Sequence, residues 1–506
     1  MGFLLYPMGK GPGKAPFPER LSEDLQLGRM AEAMACSDYY RMSAAELCAL
    51  FTDDPEILRR RQDVFRDVLE LPGLEEALER LLDSLDGWEG RSGSRRGADD
   101  FAVGFSLEDF SWLDAYLRKI DAAWESLAGI PVRSEGLKAL TGLLKSLRES
   151  PRYRDAAADF KKLCPGFAAP ARMRIGYNLD AEMKPSRLKL LYLAPPEAEG
   201  SGKNKKRQMM LTRQAVEMDA MLLQRLSANA SRDINAFVMR ETAPLRGLRQ
   251  DLVVCLSAAK LARSWKEMGL PFCFPELRPA EEKVFEAKKL FDPLLPVSGK
   301  EEVVANDASL KKGGELVFLT GANQGGKTVF LLSIGLCQWL GQLGFPVPAA
   351  EAALSPVKNI LTIFAPGGQR YGRKGLLAEE AGRIADAVAA LTDESLLLFN
   401  EPLTGTGPDE TKSISAEVAA VCMAAGARGV WVTHVYELAR ERAKLEETVP
   451  WGSRLGSLRV VLEEKDGETR FTYRVERGEP LGDSRAAEAL RRGGVVLGAE
   501  PAEENS

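Results

Sequence analysis

Residues 321 to 328 read Gly321-Ala322-Asn323-Gln324-Gly325-Gly326-Lys327-Thr328. Glycines at such positions let successive backbone N–H groups curl around an anion. The N-terminus of a helix that follows the loop adds positive potential. The spacing is that of a Walker A loop, and its flanks agree: the apolar run Leu316–Leu319 precedes it, and a helical pattern from Phe330 to about Leu340 follows. In this setting Gly321, Asn323, Gly325 and Gly326 would cradle phosphates, and Lys327 would reach the β- and γ-phosphates. The Thr328 hydroxyl would ligate a metal. The cofactors expected are ATP and Mg2+.

A second polar group ends the apolar run Leu396-Leu397-Leu398-Phe399 as Asn400-Glu401. After a Walker A loop, this is the place of the Walker B strand, which presents an acid to the magnesium shell. Asn400 offers a neutral carbonyl oxygen instead, able to hydrogen-bond a metal-bound water without bringing charge. Glu401 keeps a carboxylate for activating water. The only histidine of the chain, His434, follows another apolar run, Val430-Trp431-Val432-Thr433. At the carboxyl end of a sheet strand beside a phosphate loop, it is placed to sense a γ-phosphate.

These side chains need a scaffold, and from about residue 290 the pattern supplies one. Short runs rich in leucine and β-branched residues (316–319, 396–399, 429–433) alternate with helical segments, which marks an α/β domain with a mainly parallel sheet. After residue 450 the spacing predicts two antiparallel strands, Leu458–Leu462 and Thr469–Val475, joined by a turn at Lys465-Asp466-Gly467. A short helix near Ser484–Arg491 and an acidic tail follow. Upstream, from about 20 to 290, the reading is mostly helical. Asp54-Pro55 is a favoured N-cap and first position, and Ile57, Leu58, Val64, Phe65, Val68 and Leu69 form one apolar face. Pro72-Gly73 ends that helix, and Leu74, Ala77, Leu78, Leu81, Leu82 and Leu85 begin another.

Two polar stretches, 89–97 and 199–207, read as loops or linkers. The second carries Lys203, Lys205, Lys206 and Arg207. These could touch a nucleic-acid backbone or form a solvated loop.

The balance of 68 Lys and Arg against 73 Asp and Glu argues against a generally basic, nucleic-acid-coating surface, though a local basic groove remains open. Seven cysteines without a paired spacing suggest reduced thiols, neither a disulfide scaffold nor a zinc site. The start is too short in apolar residues for a signal peptide, and no stretch approaches a membrane span. A cytoplasmic protein with no membrane partner is expected.

Thr320 to Thr328 resembles the Walker A loop of the MutS mismatch-repair ATPases, and the likeness extends to both sides. Val304-Ala305-Asn306-Asp307 lies where that family has an asparagine near the adenine, which implies a nucleotide contact for Asn306. Gly344–Ala349, Leu377–Leu391 with Glu379-Glu380, and Gly478–Ser484 resemble the segments that follow. Arg59-Arg60-Arg61-Gln62 and Leu270–Pro275 are similar to parts of the family's core domain. The resemblance covers about 20–490 and is most specific over 300–440.

There are departures too. Asn400 replaces the usual aspartate. Gly375 stands about where a serine reaches the partner's nucleotide, and glycine has no side chain to do so. The amino-terminal mismatch-reading domain and any nuclease-like extension after 490 are not expected.

The fold class expected is multidomain: a mostly α-helical core/lever region followed by an α/β P-loop (ABC-type) ATPase domain. The division runs 1–105 (core-like), 106–290 (lever or arm and returning core), 291–490 (ATPase domain) and 491–506 (acidic tail).

The resemblance implies a homodimer that couples ATP binding and slow hydrolysis, with Glu401 and His434 catalytic and Thr328 and Asn400 at the metal, to clamp-like binding of DNA. The DNA partner would be duplex or branched and of low sequence specificity, recognised by structure rather than by mismatches. Two other readings are a nucleotide-gated protein clamp with little hydrolysis and a non-DNA ABC-type ATPase. The second is disfavoured because no Leu-Ser-Gly-Gly-Gln signature precedes the Walker B strand.

Overall fold

The computed structural model describes residues 3–11, 19–37, 39–85, 107–163, 172–179, 185–194, 240, 243–245, 247–297, 303–364, 373–403, 407–465 and 468–480. The basic stretch with Lys203, Lys205, Lys206 and Arg207 lies outside them, as do Thr404–Thr406 and the segment after Pro480. The chain divides into two compact units, residues 1–8 with 66–256, and residues 9–65 with 257–506.

The first unit is built mainly of helices, among them Leu74–Leu85, Leu107–Leu127, Glu135–Glu149 and Pro151–Leu163. Leu74, Leu78, Leu81, Leu82 and Leu85 are buried, as their helical spacing requires. Asp67 is buried and accepts from the backbone N–H groups of Arg133 (2.8 Å) and Ser134 (2.7 Å), fixing the entry to the helix Glu135–Glu149.

Within the region read as helical, β1 (Arg172–Leu179) and β2 (Pro185–Ala194) form an antiparallel pair. The sequence Arg172-Met173-Arg174-Ile175 alternates polar and apolar residues with period two, the strand signature, so this stretch corrects the helical expectation.

In the second unit a six-stranded sheet has the order β12-β11-β6-β10-β9-β8. Its strands are β6 (Glu315–Thr320), β8 (Asn359–Phe364), β9 (Ser395–Asn400), β10 (Arg428–Val432), β11 (Arg454–Lys465) and β12 (Glu468–Arg477). All neighbours are parallel except β11 and β12. β6 and β10 are buried along their whole length, which is why they read as continuous apolar runs rather than alternating ones.

One face packs Leu316, Phe318, Leu397, Phe399 and Trp431 with residues of the helices Arg373–Ala389 and Pro408–Ala424. Phe399 meets Trp431 edge-on at 5.0 Å between ring centroids. The helix Lys327–Leu343 is apolar on nearly all sides and buried almost throughout. A methyl group on its Gly335 would lie 2.5 Å from Leu398 Cδ1, so the helix and β9 are in direct contact.

Four short strands, β3 (Glu276–Leu277), β4 (Phe285–Leu290), β5 (Asn306–Leu310) and β7 (Glu351–Leu354), form a second sheet in the order β3-β7-β4-β5. β3 and β4 lie where the sequence reads as helical. In β4 the buried positions Phe285, Ala287 and Leu290 satisfy a helical spacing as well as a strand one, and pairing with β5 and β7 decides.

Asp54 caps the helix Pro55–Glu70 as its sequence suggests, its Oδ1 accepting from the N–H groups of Glu56 (2.9 Å) and Ile57 (3.3 Å). The Arg-Gln pair on this helix has structural work within the unit. Arg61 donates to the carbonyls of Leu50 (2.6 Å) and Leu343 (3.2 Å), and Gln62 donates to Pro275 O (3.0 Å). The far end of the helix Lys327–Leu343 is thereby fixed, and Gln342 Nε2 adds bonds to Thr52 O (3.0 Å) and Val357 O (2.8 Å).

Candidate nucleotide site

Three loops leave the carboxyl ends of the adjacent strands β6, β10 and β9, where open α/β sheets place their ligands. The first is the glycine-rich loop. Gly321 has φ +147° and Gly326 φ +91°, conformations that a side chain would oppose. The strand β11 runs beside this loop. A Cβ on Gly321 would lie 2.8 Å from Val460 Cβ, and one on Gly325 would lie 2.9 Å from Val460 Cγ1. The glycines are required both for the turn and for the close approach of Val460.

Lys327 is buried at the first turn of its helix. Its Nζ donates to Gly321 O (2.9 Å), Ala322 O (3.3 Å) and Asn323 Oδ1 (3.4 Å), and lies 3.4 Å from Glu401 Oε1. Burial pushes its ammonium below the usual lysine pKa, an effect that Glu401 opposes. Thr328 Oγ1 donates to Asn400 Oδ1 at 3.3 Å, so the hydroxyl of the loop and the last residue of β9 face each other.

Glu401 follows with φ +52°, a left-handed conformation uncommon for a glutamate, while its N–H donates to Val432 O (3.0 Å). Such strain is held by surrounding structure and concentrates at functional sites. The Glu401 carboxylate meets His434 Nε2 at 2.8 Å. The hydrogen bond from His434, aided by Lys327, holds the Glu401 carboxyl below the usual carboxylate range although burial works the other way.

A cleft of about 780 Å3 opens on this group, lined by the loop, Lys327, Thr328, Glu401 and Asn306. Of the residues singled out in the sequence, Asn306, Asn323, Gly325, Gly326, Lys327, Thr328 and Glu401 line it. Gly321, Asn400 and His434 contact those that do. The sequence reading missed Phe291, Asp292, Tyr473 and Val460. The first three line the cleft, and Val460 backs the loop. Gly375 falls within the helix Arg373–Ala389.

Among the described residues no group of three or more His, Cys, Asp and Glu side chains could hold a metal by itself. Thr328 and Asn400 provide two adjacent neutral oxygens with Glu401 nearby. That fits Mg2+ arriving with phosphate oxygens and waters, not a protein cage. No helix among the described residues is long and apolar enough to cross a membrane.

The class defined by this arrangement is an α/β domain with its polar residues gathered around a glycine-rich loop at the carboxyl edge of a mainly parallel sheet. Residues 317–484 match the family model for MutS domain V. The chain is 32% identical over 240 residues to the endonuclease MutS2 of Enterococcus faecalis, covering 46% of this chain and 28% of that protein. It is 31% identical over 231 residues to a DNA mismatch repair protein MutS of Parasynechococcus marenigrum, covering 44% and 24%. A longer match, 24% identical over 344 residues, joins it to the MutS of a Geobacillus species and covers 65% and 39%. The chain thus spans between about a quarter and two fifths of these relatives' lengths. The similarity to MutS domain V lies in residues 317–484.

Proposed function

We propose that the chain binds ATP with Mg2+ and hydrolyses it slowly, using the exchange to drive a DNA-handling clamp that works as a homodimer. The observation that carries this reading is the convergence of Lys327, the Thr328–Asn400 pair and the Glu401–His434 pair on one cleft. Lys327 is placed to exchange its bonds to the loop carbonyls for phosphate oxygens. The loop N–H groups and the helix N-terminus hold the remaining charge.

Mg2+ would be held through Thr328 and, directly or through a water, Asn400. When bound it supplies charge neutralisation at the β- and γ-phosphates. Glu401, kept ionised and oriented by His434, is placed to accept a proton from an attacking water. His434 then links the state of Glu401 to the end of β10.

DNA is proposed as the partner because relatives are named for mismatch repair and for an endonuclease. Contacts through phosphates would make the binding sensitive to salt and indifferent to base sequence. A second reading, a nucleotide-gated protein clamp with little turnover, is favoured by Asn400, which removes a charge from the metal side of the cleft.

ATP turnover measured without DNA and with matched, mismatched, branched and single-stranded DNA over a range of salt separates the two. Turnover that responds to DNA supports the first. ATP binding with no DNA binding at low salt leaves the protein clamp.

A further inference from the structure

Two consecutive residues far upstream of the glycine-rich loop reach the elements that carry the site. Asp24 ends the short helix Glu19–Asp24, and Leu25 and Gln26 turn the chain into the helix Leu27–Ala33. Gln26 has φ +54°, a left-handed conformation that a glutamine adopts only when it is held there. Its N–H donates to Glu23 O (3.0 Å), and its Oε1 accepts from Arg29 Nη1 (2.6 Å).

The turn sets Asp24 against Arg383 of the helix Arg373–Ala389. Arg383 Nη2 donates to Asp24 Oδ1 (3.1 Å) and Oδ2 (2.9 Å), and only 9% and 10% of the Arg383 and Asp24 side chains are exposed. Arg383 Nη1 donates to Phe364 O. Phe364 ends β8, the edge strand, and pairs with Asn400 in the ladder. Burial pushes the Asp24 carboxyl up, while Thr362 of β8 and Arg383 work the other way. Desolvation offsets most of what such a pair gains, so its contribution is direction rather than stability.

Leu25 is fully buried against the helix Lys327–Leu343. A Cβ on Gly335 would lie 2.8 Å from Leu25 Cδ2 and 2.5 Å from Leu398 Cδ1, so Leu25 and β9 close on the same point of that helix. From there to Thr328 is two turns, about 10 Å at 1.5 Å per residue. Leu398 itself lies on the same strand as Asn400 and just before it.

We propose that Asp24 and Leu25 are positioning residues for the metal side of the cleft. Asp24, through Arg383, holds the end of β8 beside Asn400. Leu25 sets the spacing between the helix that carries Thr328 and the strand that carries Asn400. The inference rests on the nucleotide reading of the cleft. Both residues lie outside 317–484, the segment that matches domain V, so the site draws its alignment from a part of the chain beyond that match.

The test uses the full chain and two ligands, ATP and inorganic tripolyphosphate, which has the phosphates and no base. Binding is read by calorimetry in EDTA and across a Mg2+ titration. Leu25→Ala opens space where the helix meets β9, and a shift of about 1 Å between Thr328 and Asn400 should raise the Mg2+ concentration for half-maximal binding about tenfold. Turnover of ATP should fall by a similar factor. Asp24→Asn, which keeps the shape and removes the charge, should raise the Mg2+ requirement about threefold. Affinity in EDTA should stay within about twofold of wild type for both ligands. Leu25→Met, of nearly the same volume, should behave as wild type.

An unchanged Mg2+ requirement in either folded variant would overturn the proposal for that residue and leave it a packing residue. Equal losses with Mg2+ and in EDTA would overturn it too, by showing general damage to the site. Should Leu25→Ala fail to fold, the Asp24→Asn titration decides. A wild-type protein that binds neither ligand overturns the nucleotide reading itself, which is a different failure.

Discussion

The two ends of the cleft are built on different principles. At the end proposed for phosphate, eight consecutive residues provide the turn, the cation and the hydroxyl, and two neighbouring strand ends deliver Asn400-Glu401 and His434. At the other end, Asn306 from β5, Tyr473 from β12 and Phe291 beyond β4 line the cleft only because separate strands bring them together. The chemistry of a phosphate demands backbone N–H groups in a fixed arc, which ties residue types to one stretch of chain. A flat apolar ligand asks only for a surface, and many arrangements of chain can supply one. Charge at the first end and shape at the second should therefore respond to different substitutions.

The largest separation is expected from Lys327→Ala. This removes the cation proposed to face the phosphates and should cost about 2–5 kcal/mol, or roughly 30- to 5,000-fold in affinity. ATP and tripolyphosphate should suffer together. Unchanged affinity for both, measured by calorimetry, would remove the loop from the binding site.

Glu401→Gln should leave ATP bound and lower turnover by about 10²–10⁴-fold, the usual range for a lost general base. The amide can still accept the hydrogen bond from His434 but cannot take a proton from water. Single-turnover hydrolysis at the wild-type rate would assign water activation to another group.

The same contrast explains what could be read in advance. β6 and β10 are buried along their whole length and β9 in all but its last residue, so their apolar runs announced them, and the polar residues at their ends followed. β11 and β12 were legible as two runs flanking the turn signal Lys465-Asp466-Gly467, although β12's bulge was not, because Thr472-Tyr473-Arg474 continues the polar–apolar rhythm of β12 through it. Tyr473's approach to Gly326 is fixed by its positive φ and by Asn306, and neither leaves a mark in local sequence. Likewise Val460 is an ordinary strand valine until the structure sets it against Gly321 and Gly325. The pair β1–β2 did carry a period-two signal in Arg172–Ile175, which the surrounding helical patterns obscured.

A smaller effect is expected from His434→Ala, and it should show in the pH profile rather than in binding. Glu401 has its pKa depressed chiefly by the hydrogen bond from His434, against the upward push of burial. As a base it works when ionised, so activity is present above the depressed pKa and is lost as pH falls through it. Without the imidazole the upward push of burial is less opposed, and the acid limb of turnover should move to higher pH while ATP affinity stays nearly intact. An acid limb that stays in place would show that His434 does not govern Glu401.

The smallest effect, and the most particular to this chain, concerns Asn400. Its Oδ1 accepts from Thr328 Oγ1 at 3.3 Å, and an aspartate there could accept the same bond while adding a negative charge beside the hydroxyl. Mg2+ favours hard anionic oxygen, directly or through its water shell, so Asn400→Asp should hold the metal more tightly. A gain of about 1 kcal/mol is expected for one added charged contact, which lowers the Mg2+ concentration for half-maximal ATP binding roughly fivefold. Tripolyphosphate should show the same shift, since the metal meets phosphate oxygens and no base. The apo protein should become slightly less stable, because the new carboxylate lies beside Glu401 with no metal to separate the charges. A magnesium titration monitored by nucleotide binding checks the first expectation and thermal melting without metal checks the second. If the titration does not move, Asn400 stands outside the metal's reach, and slow hydrolysis would need a cause other than the missing charge.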